Sequence, residues 1–574
     1  MRQLMRLASY ILGQSRGLRR PRGLLVAMIG TGLASGFAMA AMVGVVNTLI
    51  TRPEPPSRRL LWVFLALLAV RPLLRFASQA MLMRLIEQAF FTIRQDLCIR
   101  ILATPMRHLE GIGKSKLMAG LSTDVSQVGS GVAAMPGLVM ALSMVVGYTS
   151  LLAWLSLPLL PVLVAIIGLG WMSLRWAMKR ATALSSAGRQ LYDEVSKRNR
   201  ALLEGTKELK MHSRRRDAFV RELEGVSRAH RREVARADVT LAALASWTEI
   251  IFFGAIGVLV FVSPGFVEVG PTVLSSYVLT VLMLRGPIDS INGALPALAQ
   301  ATVAIRKLDG ITADLDRQAL DVAPPHDPVP GHAWRGVRLE GVTHTYRRES
   351  DDERFLLGPV SLSLAPGELV FIVGANGSGK TTLAKVLLGI YAPEDGRILL
   401  DDAPVDDAAR DNYRQHFSVV FSDFFLFDSL LGLDTPGLDR SAAGYLETLH
   451  LHHKVKVVDG KLSTIDLSQG QRKRLALLAA YLEDRPIYLF DEWAADQDPL
   501  FKEVFYQKLL PELKARGKAV VVISHDDRYY GAADRIVRLD EGRITFDGPA
   551  REYLAPRSVP ILVAQAADAQ PWPA

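Results

Sequence analysis

From Val125 to Leu174 the chain runs for 50 residues without one Asp, Glu, Lys or Arg. At 1.5 Å per residue a single helix of that length would measure about 75 Å. The hydrocarbon core of a bilayer is about 30 Å thick and takes about 20 residues per crossing. The run therefore suits two crossings, with the turn expected near Ser156–Pro161, where two prolines fall close together. Leu24 to Ile50 adds 27 residues without charge, enough to span with tilt. A turn rich in proline (Pro53, Pro55, Pro56) leads to a second apolar run from Leu60. A last pair, Leu241–Val262 and Pro271–Leu284, is parted by a short loop with Pro264 and Gly265. Six spans are expected.

The segments between these runs are unequal. Roughly 40 polar residues separate spans two and three and roughly 60 separate spans four and five, both helical in period. The loops at the other ends are a few residues long. The net charge of +9 gathers around the longer segments. Residues 1–23 hold six arginines and no acid, and residues 179–238 hold 16 Lys or Arg against 9 acids. Basic flanks beside apolar runs follow from membrane topology and anionic lipid headgroups, and no nucleic-acid partner is expected. They place the long loops and both termini in the cytoplasm. The lone cysteine, Cys98, forbids an intrachain disulfide and is expected to be an inert core or interface residue. The first apolar run is too long for a secretory leader, and no cleaved signal peptide is expected.

From about Trp334 the chain reads as a soluble α/β domain. The expected division is a membrane domain at 1–316, a Pro-rich linker at 317–335, a nucleotide-binding domain at 336–556 and a disordered Ala- and Pro-rich tail at 557–574.

Phe371-Ile-Val leads into Gly374, Ala375, Asn376, Gly377, Ser378, Gly379, Lys380, Thr381 and Thr382, followed by an apolar helical pattern. In a strand–loop–helix setting the glycines let backbone N–H groups close around phosphate oxygens, and the helix N-terminus adds partial positive charge. Lys380 reaches the terminal phosphates of ATP and Thr381 offers a hydroxyl to Mg2+. Ile487-Tyr-Leu-Phe ends in Asp491 and Glu492, at the carboxyl end of a strand where nucleotide crevices open. Asp491 is expected to organise Mg2+ and Glu492 to polarise the attacking water. An isolated Asp-Glu pair is usually a solvated turn; the phosphate loop upstream decides against that here.

Leu467-Ser468-Gln469-Gly470-Gln471, ahead of a basic helical run, resembles the signature of ABC transporters. The resemblance covers nearly the whole chain, since six spans followed by a cassette is the family's exporter arrangement. It implies that Tyr346 stacks on adenine and that His525 contacts the γ-phosphate. It further implies that Ser468, Gln469 and Gly470 of one chain close on ATP held by another, giving a homodimer or a pair of half-transporters. Coupling should run through the tips of the inner loops, near Leu109–Leu121 and Arg198–Lys210. Two positions depart from the pattern. Ser422 stands where the family usually has Gln contacting Mg2+, so that either water bridges the shorter serine to the metal or the neighbouring Asp423 takes part, and Gln469 replaces a common Gly.

The wording of Glu204–Lys210, Phe421–Phe427 and Asp491–Pro499 is similar to that of bacterial exporters of cyclic peptides and peptide siderophores, such as those of the syringomycin and pyoverdine systems. Export of such a substrate across the bacterial cytoplasmic membrane is the expectation. A lipid or lipid-linked glycan flippase and a multidrug exporter share every motor motif. A nucleotide-gated channel or regulatory membrane subunit is the reading from another class, and the set Lys380, Asp491, Glu492 and His525 argues against it. Arg71 and Arg75 fall roughly 16 Å and 22 Å into span two, on one helical face. Ionisable groups at that depth mark substrate paths or structural ion pairs. Both readings stand, with Glu249 or Asp289 as the structural partners.

Overall fold

The computed structural model describes residues 21–51, 57–267, 269–317, 334–347, 354–433 and 435–555, with Tyr10 and Gly13. Most of the expected linker, the tail 557–574, the prolines at 53, 55 and 56 and the arginines at 2, 6, 16, 19 and 20 lie outside the described residues. By packing, the described residues form two units. One holds those up to Leu97 with Met118–Gly310; the other joins Cys98–Leu117 to those from Ile311 onward.

Six long helical segments follow the apolar runs: Pro21–Thr51, Arg58–Ala103, Val125–Ala133 continued by Met135–Leu155, Leu160–Glu204, Ser213–Gly257 and Pro271–Asp316. Five meet the length and apolarity needed to cross a membrane; the Leu160–Glu204 helix opens in a shorter apolar stretch, Leu157–Gly170. The turn falls where the prolines require it: Ser156 is extended (φ −160°, ψ 104°) and Pro161 enters the first turn of the next helix. Ser213–Val262 covers 50 residues, or about 75 Å, more than twice the hydrocarbon thickness. His212, also extended, separates this helix from the short Thr206–Met211 helix.

Small residues let the membrane helices approach closely. The Pro21–Thr51 helix lies along Met135–Leu155. A Cβ at Gly36 would fall 1.7 Å from Ser143 Oγ and 2.7 Å from the Met140 carbonyl oxygen, and one at Gly147 would fall 2.6 Å from Ala40. Neither position tolerates a side chain. Around this contact Ala40, Val43, Tyr148, Leu152, Leu259 and Tyr277 form one buried apolar cluster. Cys98 is exposed, so the expectation of a core position is corrected: it lies on the outer side of the Arg58–Ala103 helix, one residue past the buried Leu97.

The second unit carries two larger sheets. β1 (Val337–Arg347), β2 (Arg354–Leu364), β4 (Asp395–Leu400) and β5 (Ala403–Pro404) pair antiparallel in the order β2-β1-β4-β5. The main sheet has the order β12-β11-β3-β10-β9-β6. Its strands are β3 (Leu369–Val373), β6 (Phe417–Val420), β9 (Ile487–Asp491), β10 (Ala519–Ile523), β11 (Arg535–Asp540) and β12 (Arg543–Pro549). All but the β12 edge run parallel. β3, β9 and β10 are uninterrupted apolar runs apart from Asp491, and every residue in them is buried. That is what a parallel sheet covered on both faces requires. A hairpin of β7 (Val457–Val458) and β8 (Lys461–Leu462) lies outside both sheets. The register sets Ile523 beside both Ile372 and Asp491, so the carboxyl ends of three adjacent strands open on one crevice.

Candidate active site

β3 ends at Val373, and the phosphate loop turns through Gly374–Gly379 into the Lys380–Leu387 helix. Gly374 has φ +151°, and a Cβ there would lie 2.1 Å from the Leu539 carbonyl oxygen and 2.9 Å from Ser378 Oγ. Gly379 has φ +97° and abuts the Phe355 ring. Both positions need glycine. Lys380 is buried and its Nζ donates to the carbonyl oxygens of Gly374 and Ala375, at 3.1 and 2.9 Å. Burial pushes its pKa below the ordinary value, against the pull of Glu492 and Asp491.

Across the crevice Asp491 is fully buried at the end of β9. Ser422 Oγ donates to its Oδ2 at 3.2 Å, and Thr381 is a further donor to it. Burial pushes the Asp491 carboxyl up; the Ser422 hydrogen bond opposes this and the Glu492 charge adds to it. Asp491 Oδ1 and Ser378 Oγ are buried without a hydrogen-bond partner. Such groups are costly in a folded protein unless something else completes them. An oxygen-binding cation next to a phosphate would engage both, so the residues present fit a nucleotide with its metal. Asp423, by contrast, is exposed and makes no hydrogen bond or ion pair among the described residues. The structure does not bring it into this cluster.

Glu492 follows Asp491 in the left-handed conformation (φ 49°, ψ 32°), rare outside glycine and asparagine. Its carboxylate Oε1 lies 2.8 Å from His525 Nε2, just beyond β10. The pair borders an open cavity of about 310 Å³ with Ser524 and Asp526. Ser468 caps the Gln469–Glu483 helix in a capping box with Gln471, leaving Ser468 and Gln469 exposed. Tyr346, near the end of β1, is 37% exposed and lines a cavity of about 1200 Å³.

Other residues were not legible as functional. The Met106–Ile112 helix, part of this second unit, is tied to the cassette by charge. Glu110 accepts from the Tyr391 hydroxyl at 2.6 Å and from Lys385 Nζ at 3.2 Å. Arg107 pairs with Glu394 at 2.8 Å, and Thr345 Oγ1 donates to the same carboxylate at 2.7 Å. Tyr391 also stacks on the buried His344, their ring centroids 4.7 Å apart. The expected docking near Leu109 thus acquires named partners. A lysine five residues past Lys380 was the available signal.

In the first unit, Arg71 is half-buried and Arg75 exposed on the same helix. Their expected structural partners are engaged elsewhere: Arg285 pairs with Glu249 and lies 3.8 Å from Asp289. Arg71 makes no ion pair among the described residues, and its Nε is buried without an acceptor.

Comparison with known proteins agrees with this geometry. Residues 357–495 match the family "ABC transporter", and residues 23–286 match "ABC transporter transmembrane region". The chain is 36% identical over 536 residues to the ATP-binding protein SyrD of Pseudomonas syringae pv. syringae, covering 90% of this chain and 93% of that one. It is 26% identical over 556 residues to an ATP-dependent lipid A-core flippase of Thiobacillus denitrificans, with coverage of 90% and 93%. In fold it is similar to a bacterial Atm1-family ABC exporter solved with ATP bound, at a TM-score of 0.70 and 17% identity, covering 93% of this chain and 96% of that one. The protein is a multi-pass membrane protein of the dimer-forming type that binds and hydrolyses ATP to drive transport. It belongs to the ABC transporter family, as an exporter half-transporter with its helical membrane domain fused to its ATP-binding cassette.

Proposed function

We propose that two copies of this chain export a peptide-like substrate bearing carboxylate or hydroxamate groups across the bacterial cytoplasmic membrane. The cassette and both termini lie on the cytoplasmic side. The observation that carries the substrate class is Arg71. A guanidinium within a membrane helix is costly unless it faces water or a partner. Glu249 and Asp289, the carboxylates expected as its structural partners, are engaged by Arg285. Arg71 and Arg75, supplied by two subunits, would offer four cations to an acidic cargo. The wording shared with cyclic-peptide and siderophore exporters around Glu204–Lys210 and Phe421–Phe427 supports the same class.

In the cassette, Asn376, Gly377 and their neighbours wrap the phosphates, with Lys380 on the terminal ones and Thr382 following Thr381 at the helix start. Thr381 and Asp491 hold Mg2+, with Ser422 reaching Asp491 rather than filling the position of the longer Gln. Bound Mg2+ supplies charge neutralisation at the phosphate oxygens. Glu492 accepts a proton from the attacking water, and His525 holds that carboxylate by its 2.8 Å contact. Tyr346 stacks on adenine, and Ser468, Gln469 and Gly470 of the second copy close the site.

Transport into inside-out vesicles tests this reading. Acidic cyclic peptides and hydroxamate peptides should accumulate with ATP, and Arg71→Gln with Arg75→Gln should lose that transport with thermal stability unchanged. Accumulation only of a glycolipid would replace the peptide reading with the flippase one. A stability loss alongside lost transport would make the arginines structural.

A further inference from the structure

The signature helix carries a buried cation that the account above does not use. Lys473 is 2% exposed, four residues into the Gln469–Glu483 helix. Its Nζ lies 2.8 Å from Asp496 Oδ2 and donates to the backbone carbonyl oxygen of Glu492 at 3.2 Å. The contact is reciprocal, because the buried Trp493 donates from Nε1 to the Lys473 carbonyl oxygen at 2.8 Å. Two further bonds join the same segments: Gln497 Nε2 to the Gly470 carbonyl oxygen at 3.0 Å, and Arg474 Nε to Gln497 Oε1 at 2.9 Å. The first turns of the signature helix and residues 492–497 are therefore stitched together within one chain.

What the stitching holds is an unfavourable backbone. Glu492 occupies the left-handed region, which a side chain other than glycine or asparagine enters only when its surroundings insist. The Glu492 amide donates to the Ile523 carbonyl oxygen at 3.0 Å. The carbonyl side is gripped by an ammonium, and a charge-assisted bond is stronger than a neutral one. Held at both its amide and its carbonyl, the Glu492 backbone keeps the conformation from which its carboxylate reaches His525 at 2.8 Å.

We infer that Lys473 is a positioning residue for ATP hydrolysis, clamping the Glu492 peptide in the conformation that aims its carboxylate at the attacking water. The inference rests on the reading of Glu492 as proton acceptor. Lys473 touches neither nucleotide nor metal in that reading; it acts through the backbone.

The test uses Lys473→Met and Lys473→Gln in the full-length reconstituted dimer. Methionine keeps the length and apolar stem, and Asp496, whose side chain is 49% exposed, is left to solvent. A misplaced reacting group costs up to about 100-fold. Lys473→Met should lower kcat by about 10- to 100-fold, with ATP affinity unchanged within about twofold. In the nucleotide-free protein, amide hydrogen exchange across residues 492–498 should quicken while that of β9 stays slow. Lys473→Gln, which keeps a donor, should recover part of both. A wild-type kcat in Lys473→Met, or unchanged exchange across 492–498, would overturn the proposal. So would a parallel fall of kcat, ATP affinity and thermal stability that Gln does not relieve. If Glu492→Gln itself hydrolyses ATP normally, the proton-acceptor reading fails, while the exchange result still decides whether Lys473 clamps the peptide.

Discussion

Lys380 and Arg71 are both cations withdrawn from water, one in each half of the chain. Lys380 finds its acceptors in its own loop, the carbonyl oxygens five and six residues behind it. Arg71 has a buried Nε with no acceptor and no ion pair among the described residues. The cassette thus supplies the surroundings of its functional groups from nearby backbone. The membrane half leaves Arg71 without a carboxylate partner among the described residues. A short contiguous motif can specify the first arrangement; the second depends on helices remote in sequence.

The sharpest test of the cassette side is Glu492→Gln. An amide does not accept the proton, so ATP turnover should fall by about 100- to 10,000-fold while ATP still binds and the dimer stays closed. ATPase assays paired with retained nucleotide measure this; turnover near wild type would end the parallel between motif and chemistry. Weaker effects belong where the halves meet in sequence. Glu110→Ala combined with Tyr391→Phe removes both hydrogen bonds of Glu110, leaving the Arg107–Glu394 pair, and should cut substrate-stimulated ATPase by about fivefold or more. Basal ATPase should change little, and equal losses in both would argue against a coupling role. Ser422→Gln should shift the ratio of stimulated to basal rate by less, without loss of ATP binding; a pure binding loss contradicts that.

The smallest effect concerns pH. Burial raises the Glu394 pKa, but hydrogen bonds from Thr345 and Arg107 outweigh this and hold it below its ordinary value. A carboxyl depressed in the folded state stabilises above its unfolded pKa, and that contribution is lost as pH falls through the folded value. Glu394→Gln should therefore melt below wild type near neutral pH, with the gap closing as pH falls below the ordinary glutamate range and through the depressed folded value. A gap independent of pH would assign the effect to packing.

The phosphate loop, the Asp491–Glu492 strand end and the signature were readable because each is contiguous and obeys a local rule: glycine where φ is positive, apolar residues where a strand is covered, a cap where a helix starts. The apolar runs and the Ser156 turn were readable for the same reason, since hydropathy and proline act locally. The partners of Glu110 lie about 280 residues away, at Lys385 and Tyr391, and no periodicity connects them. Lys473 looked like one more basic residue in Arg472-Lys473-Arg474; only the fold shows the middle cation turned inward. Asp423 and Cys98 are the converse, both exposed in the structure. Sequence proximity to Ser422, and a helical setting for Cys98, do not fix which way a side chain faces.

Under the proposed function, two copies of this chain share each ATP site. Mixing Lys380→Ala chains with Ser468→Ala chains tests it directly. In the mixed dimer one site carries both defects and the other neither, so ATP occlusion should return at about one site per mixed dimer. Neither variant alone should occlude ATP. If mixed dimers are isolated and restore no occlusion, or if either variant alone occludes ATP normally, the shared site is contradicted.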